Sequence, residues 1–177
     1  MNRLRIILSS ALILVGAPAF GQGAISSLKG HDSNAPVDVA ADRIEVQDRS
    51  DRAVLSGNVN VRQGDLTLNS QRLTVAYSQA GGTQIQRLDA SGSVTVQSPS
   101  ETARGQFAIY DLNKRIITML GNVVLVRGQS EVRGGRLVID LNSGRSTIDG
   151  SAVGGAGGTT GQGGRVTGRF TVPPRTN

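Results

Sequence analysis

The feature that most constrains the fold is an alternation of apolar and polar residues that runs through most of the chain. From residue 37 onward aliphatic side chains fall on every second position, as in VNVRQGDLTLNS over residues 59–70. Successive side chains of a β-strand point to opposite faces, so this spacing gives strands with one apolar and one polar face. No window of similar length has helical spacing. The alternation predicts an all-β fold of short antiparallel strands.

Two short markers recur along the chain at intervals of roughly 30 residues, the length of a supersecondary repeat. The first is Gly-Asn-Val or a close variant, at Gly57, Gly92, Gly121 and Gly150. The second is a basic or amide residue followed by an apolar one, at Arg43, Arg72, Gln106 and Arg136. Because the two markers drift together, each repeat is interpreted as two strands and a tight turn. The glycines are predicted to bend their strands at bulges, although simple turn glycines are an alternative.

The N-terminal residues have the composition of a cleavable signal peptide. Arg3 and Arg5 precede an apolar run that is followed by Ala17-Pro18-Ala19, and a permanent membrane anchor is the alternative. The chain is then divided into a signal peptide at 1–19, a flexible lead-in at 20–35, one β-domain at 36–153, a Gly-rich linker at 154–164, a possible last edge strand at 165–172 and a tail at 173–177.

Several classes of chemistry lack the residues that they need. The chain has no cysteine, its one histidine, His31, falls in the predicted lead-in, and its carboxylates are scattered over the polar phase of the strands. The Gly-rich segment lacks the Gly-Lys-Ser/Thr ending of a phosphate loop. We therefore expect no enzyme activity, no metal site and no cofactor. The net charge of +6 would suit nucleic acid or an acidic polysaccharide, but the aromatic content of 3% offers few of the stacking platforms that bind single-stranded nucleic acid.

The apolar face of the strands allows two interpretations. The two parts of the sheet can close on each other and form an ordinary sealed core, or they can splay apart and leave an apolar trough for a guest. Several acyl chains leaving water would supply on the order of ten kcal/mol. Alternation alone does not choose between these two.

Three stretches, AADRIEV at 40–46, AVLSGNVNV at 53–61 and GDLTLNSQRL at 64–73, resemble the OstA-like domain family of lipopolysaccharide transport proteins, the LptA family. The resemblance covers residues 36–150. It implies a single, slightly twisted β-jellyroll with the shape of an open V, located in the periplasm, whose interior shields the lipid A acyl chains of lipopolysaccharide. It also implies head-to-tail assembly with itself and with LptC-like inner-membrane and LptD-like outer-membrane proteins, as a passive conduit between the two membranes.

The resemblance and the alternation together predict the residues that line the interior groove. They are Val37, Val39, Ile44, Val46, Leu55, Val59, Val61, Leu66, Leu68, Leu73, Val75, Val94, Val96, Phe107, Ile109, Met119, Val123, Leu125, Leu137 and Ile139. Whether Ile109 or Tyr110 faces inward stays open.

Four arginines, Arg43, Arg62, Arg72 and Arg87, can be assigned either to head-group phosphates or to simple solvation. The carrier hypothesis needs a lengthwise passage between the two parts of the molecule. A secreted structural β-repeat protein with a sealed core is the alternative.

Overall fold

The computed structural model describes residues 31–150 and 164–171. These residues form ten strands, and the 3-10 turn Asp48–Ser50 lies between the second and the third. The strands are β1 Val37–Ala40, β2 Arg43–Gln47, β3 Arg52–Gln63, β4 Leu66–Ser78, β5 Gln84–Gln97, β6 Glu101–Asp111, β7 Ile116–Arg127, β8 Ser130–Asp140, β9 Arg145–Asp149 and β10 Thr167–Arg169. The predicted all-β fold is confirmed. The predicted signal peptide, residues 20–30, the linker up to residue 163 and the tail lie outside the described residues.

All ten strands belong to one antiparallel sheet in which consecutive long strands are neighbours. Each of the two outer positions is filled by two short strands placed end to end. β1 pairs with the end of β3, with Val37 opposite Gln63, and β2 pairs with its beginning, with Arg43 opposite Ser56. β9 and β10 divide β8 in the same way, and β10 lies inside the range predicted for a last edge strand.

The recurring Gly-Asn and Gly-Ser pairs form bulges inside the long strands. Gly57, Gly92 and Gly121 have φ angles of 76°, 83° and 81°, and the residue after each of them also has a positive φ. The strand register shifts at these positions, for example between Ser56 and Val59. The predicted bulges are therefore confirmed at these three glycines. Glycine suits these positions because the left-handed region is accessible mainly to glycine and asparagine. Gly150 differs, since it follows the last residue of β9.

Contacts across neighbouring strands explain why the two sequence markers drift together. A side chain at Gly92 would meet the Cβ of Gln71 at 2.9 Å, and one at Gly121 would meet the Cβ of Gln106 at the same distance. At the first copy, a side chain at Gly57 would meet the Cβ of Asp42 at 2.9 Å, and Asp42 also accepts a hydrogen bond from the side chain of Asn58 at 2.9 Å. Gly57, Gly92 and Gly121 thus each pack against a residue of the second marker or the residue just before it, whereas Gly150 packs against Gly164.

The bulges fold the sheet into two parts. The bulges divide the long strands β3 to β8. The first half-sheet contains β1, β10 and the parts of the long strands on their side of the bulges, and the second contains β2, β9 and the parts on the other side. The inner faces pack into one aliphatic core. The Tyr110 hydroxyl of the second half-sheet donates to Gln63 Oε1 of the first at 2.9 Å. Among the described residues, no helix has the length and apolarity needed to cross a membrane.

Candidate functional site

Most of the predicted interior residues lie in the core between the half-sheets. Fully or almost fully buried there are Leu55, Val59, Val61, Leu66, Leu68, Leu73, Val75, Val94, Val96, Met119, Val123, Leu125, Leu137 and Ile139. Val37 is partly buried against this core. The alternation therefore placed these side chains on the correct face, although their predicted contact with lipid is a separate proposal.

The interior face stays open at the N-terminal edge. Val39, Ile44 and Val46 are 38%, 51% and 61% exposed. They lie on the inner face, because Val39 stands opposite Val61 and Ile44 stands opposite Leu55 in the ladder. Directly paired residues of an antiparallel sheet point to the same side. The aliphatic core thus continues into a strip of exposed aliphatic side chains on β1 and β2.

The structure corrects the prediction for β6. Phe107 is 50% exposed, and both Phe107 and Ile109 alternate with the buried Ala108 and Tyr110. Phe107 and Ile109 therefore lie on the outer face, and the prediction that they line the interior is wrong. Gly105 stands opposite the inward Val94 and precedes the register shift, so counting by twos from Ala103 across the bulge gives the wrong face.

Sequence reasoning also missed several core residues. They are Leu88, Ala90, Ala103, Ala108, Ile117 and Leu141, and the choice that stayed open between Ile109 and Tyr110 falls to Tyr110. Ile117 could have been predicted by counting two residues back from Met119. Leu88 and Ala90 needed the pairing register, because they stand opposite Val75 and Leu73 across β4 and β5.

The space between the half-sheets is nearly filled by the protein itself. A cavity of about 10 Å³ lies there, lined by residues of both half-sheets that include Val61, Leu88 and Ile117. Such a volume holds about one water molecule. Within the described ranges, the predicted open trough is therefore absent along the middle of the interior, where aliphatic side chains close it. Any lengthwise passage for acyl chains requires the half-sheets to separate.

A polar cluster closes the interior beside β1, and its hub is the buried side chain of Gln63. Gln63 Nε2 donates to the carbonyl oxygens of Ser33 and Ala35, at 3.0 and 3.1 Å. Gln63 Oε1 accepts from Tyr110 at 2.9 Å and lies 3.2 Å from His31 Nε2. Burial raises the pKa of the Tyr110 phenol, which keeps it protonated as a donor.

His31 differs from its sequence interpretation. It was assigned to a flexible lead-in, but its side chain is buried, and Nδ1 lies 3.0 Å from Asp65 Oδ1. Residues 31–35 are therefore packed against the domain, and the domain begins earlier than residue 36. No motif marked this segment, because its contacts depend on the side chains of Gln63 and Asp65.

A second polar feature, an ion pair, lies on β6 and β7 at the end of the interior face. Glu101 is buried, and Arg127 contacts its Oε2 through Nε at 3.2 Å and through an Nη at 2.6 Å. Charges removed from water need such pairing. The pair stabilises the end of the first half-sheet at the turns that follow β5 and β7.

The arginines considered for phosphate binding lie on the outer face, alternating with the inward Ile44, Val61, Leu73 and Leu88. Arg43 pairs with Glu45 at 3.3 Å, and Arg87 pairs with Asp89 at 2.7 Å. This arrangement favours the solvation alternative. In the described part of the chain, no group of three or more His, Cys, Asp or Glu side chains is placed to hold a metal ion.

Residues 38–145 match the family described as "LptA/(LptD N-terminal domain) LPS transport protein". The match covers more than half of the chain and almost all of the bulged sheet. The chain belongs to this family. The LPS transport family is a family of transport proteins and not of enzymes, which agrees with the expectation drawn from the sequence.

Relatives of the family extend the same comparison. An uncharacterized protein of Rhizobium meliloti is 30% identical over 145 residues, which is 77% of this chain and 78% of the relative. The lipopolysaccharide export system protein LptA of Escherichia coli K12 is 24% identical over 141 residues, which is 76% of this chain and 71% of that protein.

A solved structure shows the same fold. The crystal structure of LptH, the LptA-homologous periplasmic component of the lipopolysaccharide transport device of Pseudomonas aeruginosa, superposes with a TM-score of 0.68 at 17% identity. It covers 80% of this chain and 99% of LptH. At this identity the likeness concerns the fold, and it agrees with the predicted LptA-type jellyroll.

Proposed function

We propose that this chain is a periplasmic lipopolysaccharide carrier that shields lipid A acyl chains between its two half-sheets and passes them from the inner toward the outer membrane. The observation that carries the proposal is the continuous aliphatic inner face, which is buried in the middle and exposed on Val39, Ile44 and Val46. An acyl chain can contact this exposed strip first. It can then advance by replacing contacts that the half-sheets make with each other.

The energies of this exchange are comparable. Exposing one Val or Leu of the core to water costs about 1.5–3 kcal/mol, whereas burying each acyl methylene contributes about 0.8 kcal/mol. A chain of about a dozen methylenes therefore offsets the separation of several core contacts. The closed interior then corresponds to the guest-free state, in which the protein covers its own apolar face.

The outer strands support assembly in line. β1 and β2 pair with β3 on one side, and β9 and β10 pair with β8 on the other, so that within residues 31–150 and 164–171 no further strand pairs with either end of the sheet. Such edges are available for β-augmentation. We propose that the β1–β2 edge of one copy adds to the β9–β10 edge of the next, and that the same edges join LptC-like and LptD-like partners. The inner faces would then form one continuous surface.

Photo-crosslinking tests the lipid-binding surface. A photoreactive residue at Val39 or Leu73, both on the inner face, is expected to form adducts with labelled lipopolysaccharide. The matched control is Thr74, which follows Leu73 in β4 and lies on the outer face. Adducts of equal strength at Leu73 and Thr74 would remove the proposal. They would favour the structural β-repeat alternative, which the closed core otherwise also fits.

A further inference from the structure

Residues 31–35 run across the edge beside β1 at which the two half-sheets meet, which is called the opening below. On the first half-sheet, His31 contacts Asp65 in the turn after β3 at 3.0 Å. On the second, Arg115 in the turn after β6 donates to Asn34 Oδ1 at 3.1 Å. One segment of five residues thus contacts a turn of each half-sheet.

The segment is held as a compact unit. Asn34 donates its backbone N–H to Asp32 Oδ1 at 2.9 Å, and Ala35 donates to the carbonyl of Asp32 at 3.1 Å. Gln63 then binds two carbonyl oxygens of the segment, and its own Oε1 accepts from Tyr110. The same amide therefore joins the segment to both half-sheets.

We propose that residues 31–35 are a latch that holds the half-sheets closed beside β1, and that acyl chains enter the interior only when this latch is released. The inference rests on the proposed function, and it adds the element that controls access. The contacts are hydrogen bonds, mostly to backbone and amide groups, and each has a modest net strength. They can be exchanged without loss of the aliphatic core. The latch continues into β1, so its release also frees the strand that is proposed to pair with the next copy.

The chain contains no cysteine, which allows a clean crosslinking test. We join cysteines at Asn34 and Arg115 in the purified protein with a short, reducible bismaleimide and then add fluorescent lipopolysaccharide. The latch predicts uptake at least about tenfold slower than in wild type, because the open state is removed from the population. Reduction of the linker should restore uptake, and the unjoined double variant should take up lipid faster than wild type.

The matched control joins Thr67 and Gln97, which stand opposite each other within the first half-sheet and do not span the opening. This crosslink should leave uptake unchanged. Equal uptake by the two crosslinked proteins would overturn the latch while the carrier function stands. Failure of wild type to bind lipopolysaccharide at all would instead overturn the carrier function.

A second pair of variants avoids crosslinking. Gln63→Leu keeps the size of the side chain and removes its hydrogen bonds, and it should raise the rate of uptake about tenfold. It should also raise amide hydrogen exchange in residues 31–35. Asn34→Ala removes only the contact with Arg115 and should act in the same direction by about twofold to fivefold. Asn113→Ala, in the same turn as Arg115, is the control and should change neither. Unchanged uptake in both Gln63→Leu and Asn34→Ala, with native unfolding curves, would contradict the latch.

Discussion

At the scale of single residues, backbone conformation at the bulges decides the shape of the molecule. Gly121 combines a φ of 81° with a neighbour, Gln106, whose Cβ lies where a new side chain would go. Gly128 has a φ of 55° in a turn, with no atom within 4 Å of an added Cβ. A comparison of substitutions at the two glycines therefore separates the cost of the left-handed backbone from the cost of a steric clash with a neighbouring side chain.

We predict that Gly121→Ala lowers the free energy of unfolding by about 2–4 kcal/mol, since it adds steric displacement of Gln106 to the left-handed strain. Gly128→Ala, which introduces the strain alone, should cost about 1 kcal/mol. Urea unfolding of both variants measures the difference. Equal losses would show that the packing of Gly121 against Gln106 contributes nothing.

Asp140 gives a pH-dependent contribution at the β8–β9 turn. The Ser143 hydroxyl donates to its carboxylate at 2.8 Å, the backbone N–H groups of Ser143 and Asn142 add further bonds, and the pKa of Asp140 falls below its ordinary value of 3.8. A carboxyl with a lowered pKa stabilises the fold above its unfolded value, and the stabilisation is lost as the pH falls through the folded value. Asp140→Asn should therefore be less stable than wild type at neutral pH. The difference should shrink below about pH 3.8, in urea midpoints measured across that range.

At the scale of elements, the sequence predicted more about strand faces than about strand ends. Period-two spacing identified the inward side of β3, β4, β7 and β8, because aliphatic residues recur at every second position on the inward face of each strand, although the outer face of β7 also carries Leu120, Val124 and Val126. It failed on β6, where Phe107 and Ile109 are apolar residues on the outer face. The pairing register, which the sequence does not contain, was needed to place Tyr110.

The contacts of residues 31–35 were not predictable for a related reason. The segment has no periodicity, and its partners Gln63 and Arg115 lie between 28 and 81 positions away in the chain from the residues that they contact. Hydrogen bonds of single polar side chains leave no pattern in a sequence. Hydrophobic alternation does, because it extends over a whole strand.

Among the elements, β10 is the shortest strand and forms part of one outer edge. Removing residues 164–177 deletes it and exposes the edge of β8 around Val132. We predict that this truncation weakens head-to-tail assembly, which lowers the average mass at high protein concentration in sedimentation velocity.

The control for this truncation removes residues 172–177 only and keeps β10. It should assemble as the full chain does. An unchanged mass distribution in the longer truncation would mean that β10 takes no part in the edge between copies.

At the scale of the whole molecule, one sheet is folded at its bulges so that its two inner faces cover each other. The cavity of about 10 Å³ between them shows that the protein fills its own interior in this state. The proposed carriage of lipopolysaccharide then requires an account of how such an interior takes a guest. Separation of the half-sheets, limited by residues 31–35 and compensated by acyl burial, supplies that account.

The most direct test is a distance between spin labels across the opening. Labels at Asn113, in the turn after β6, and at Gln129, in the turn after β7, report on the two half-sheets, and labels at Gln97 and Gln129 report on the first half-sheet alone. The account predicts that lipopolysaccharide lengthens the Asn113–Gln129 distance by several ångströms and leaves the Gln97–Gln129 distance unchanged. Bound lipopolysaccharide with no change in the Asn113–Gln129 distance would contradict it.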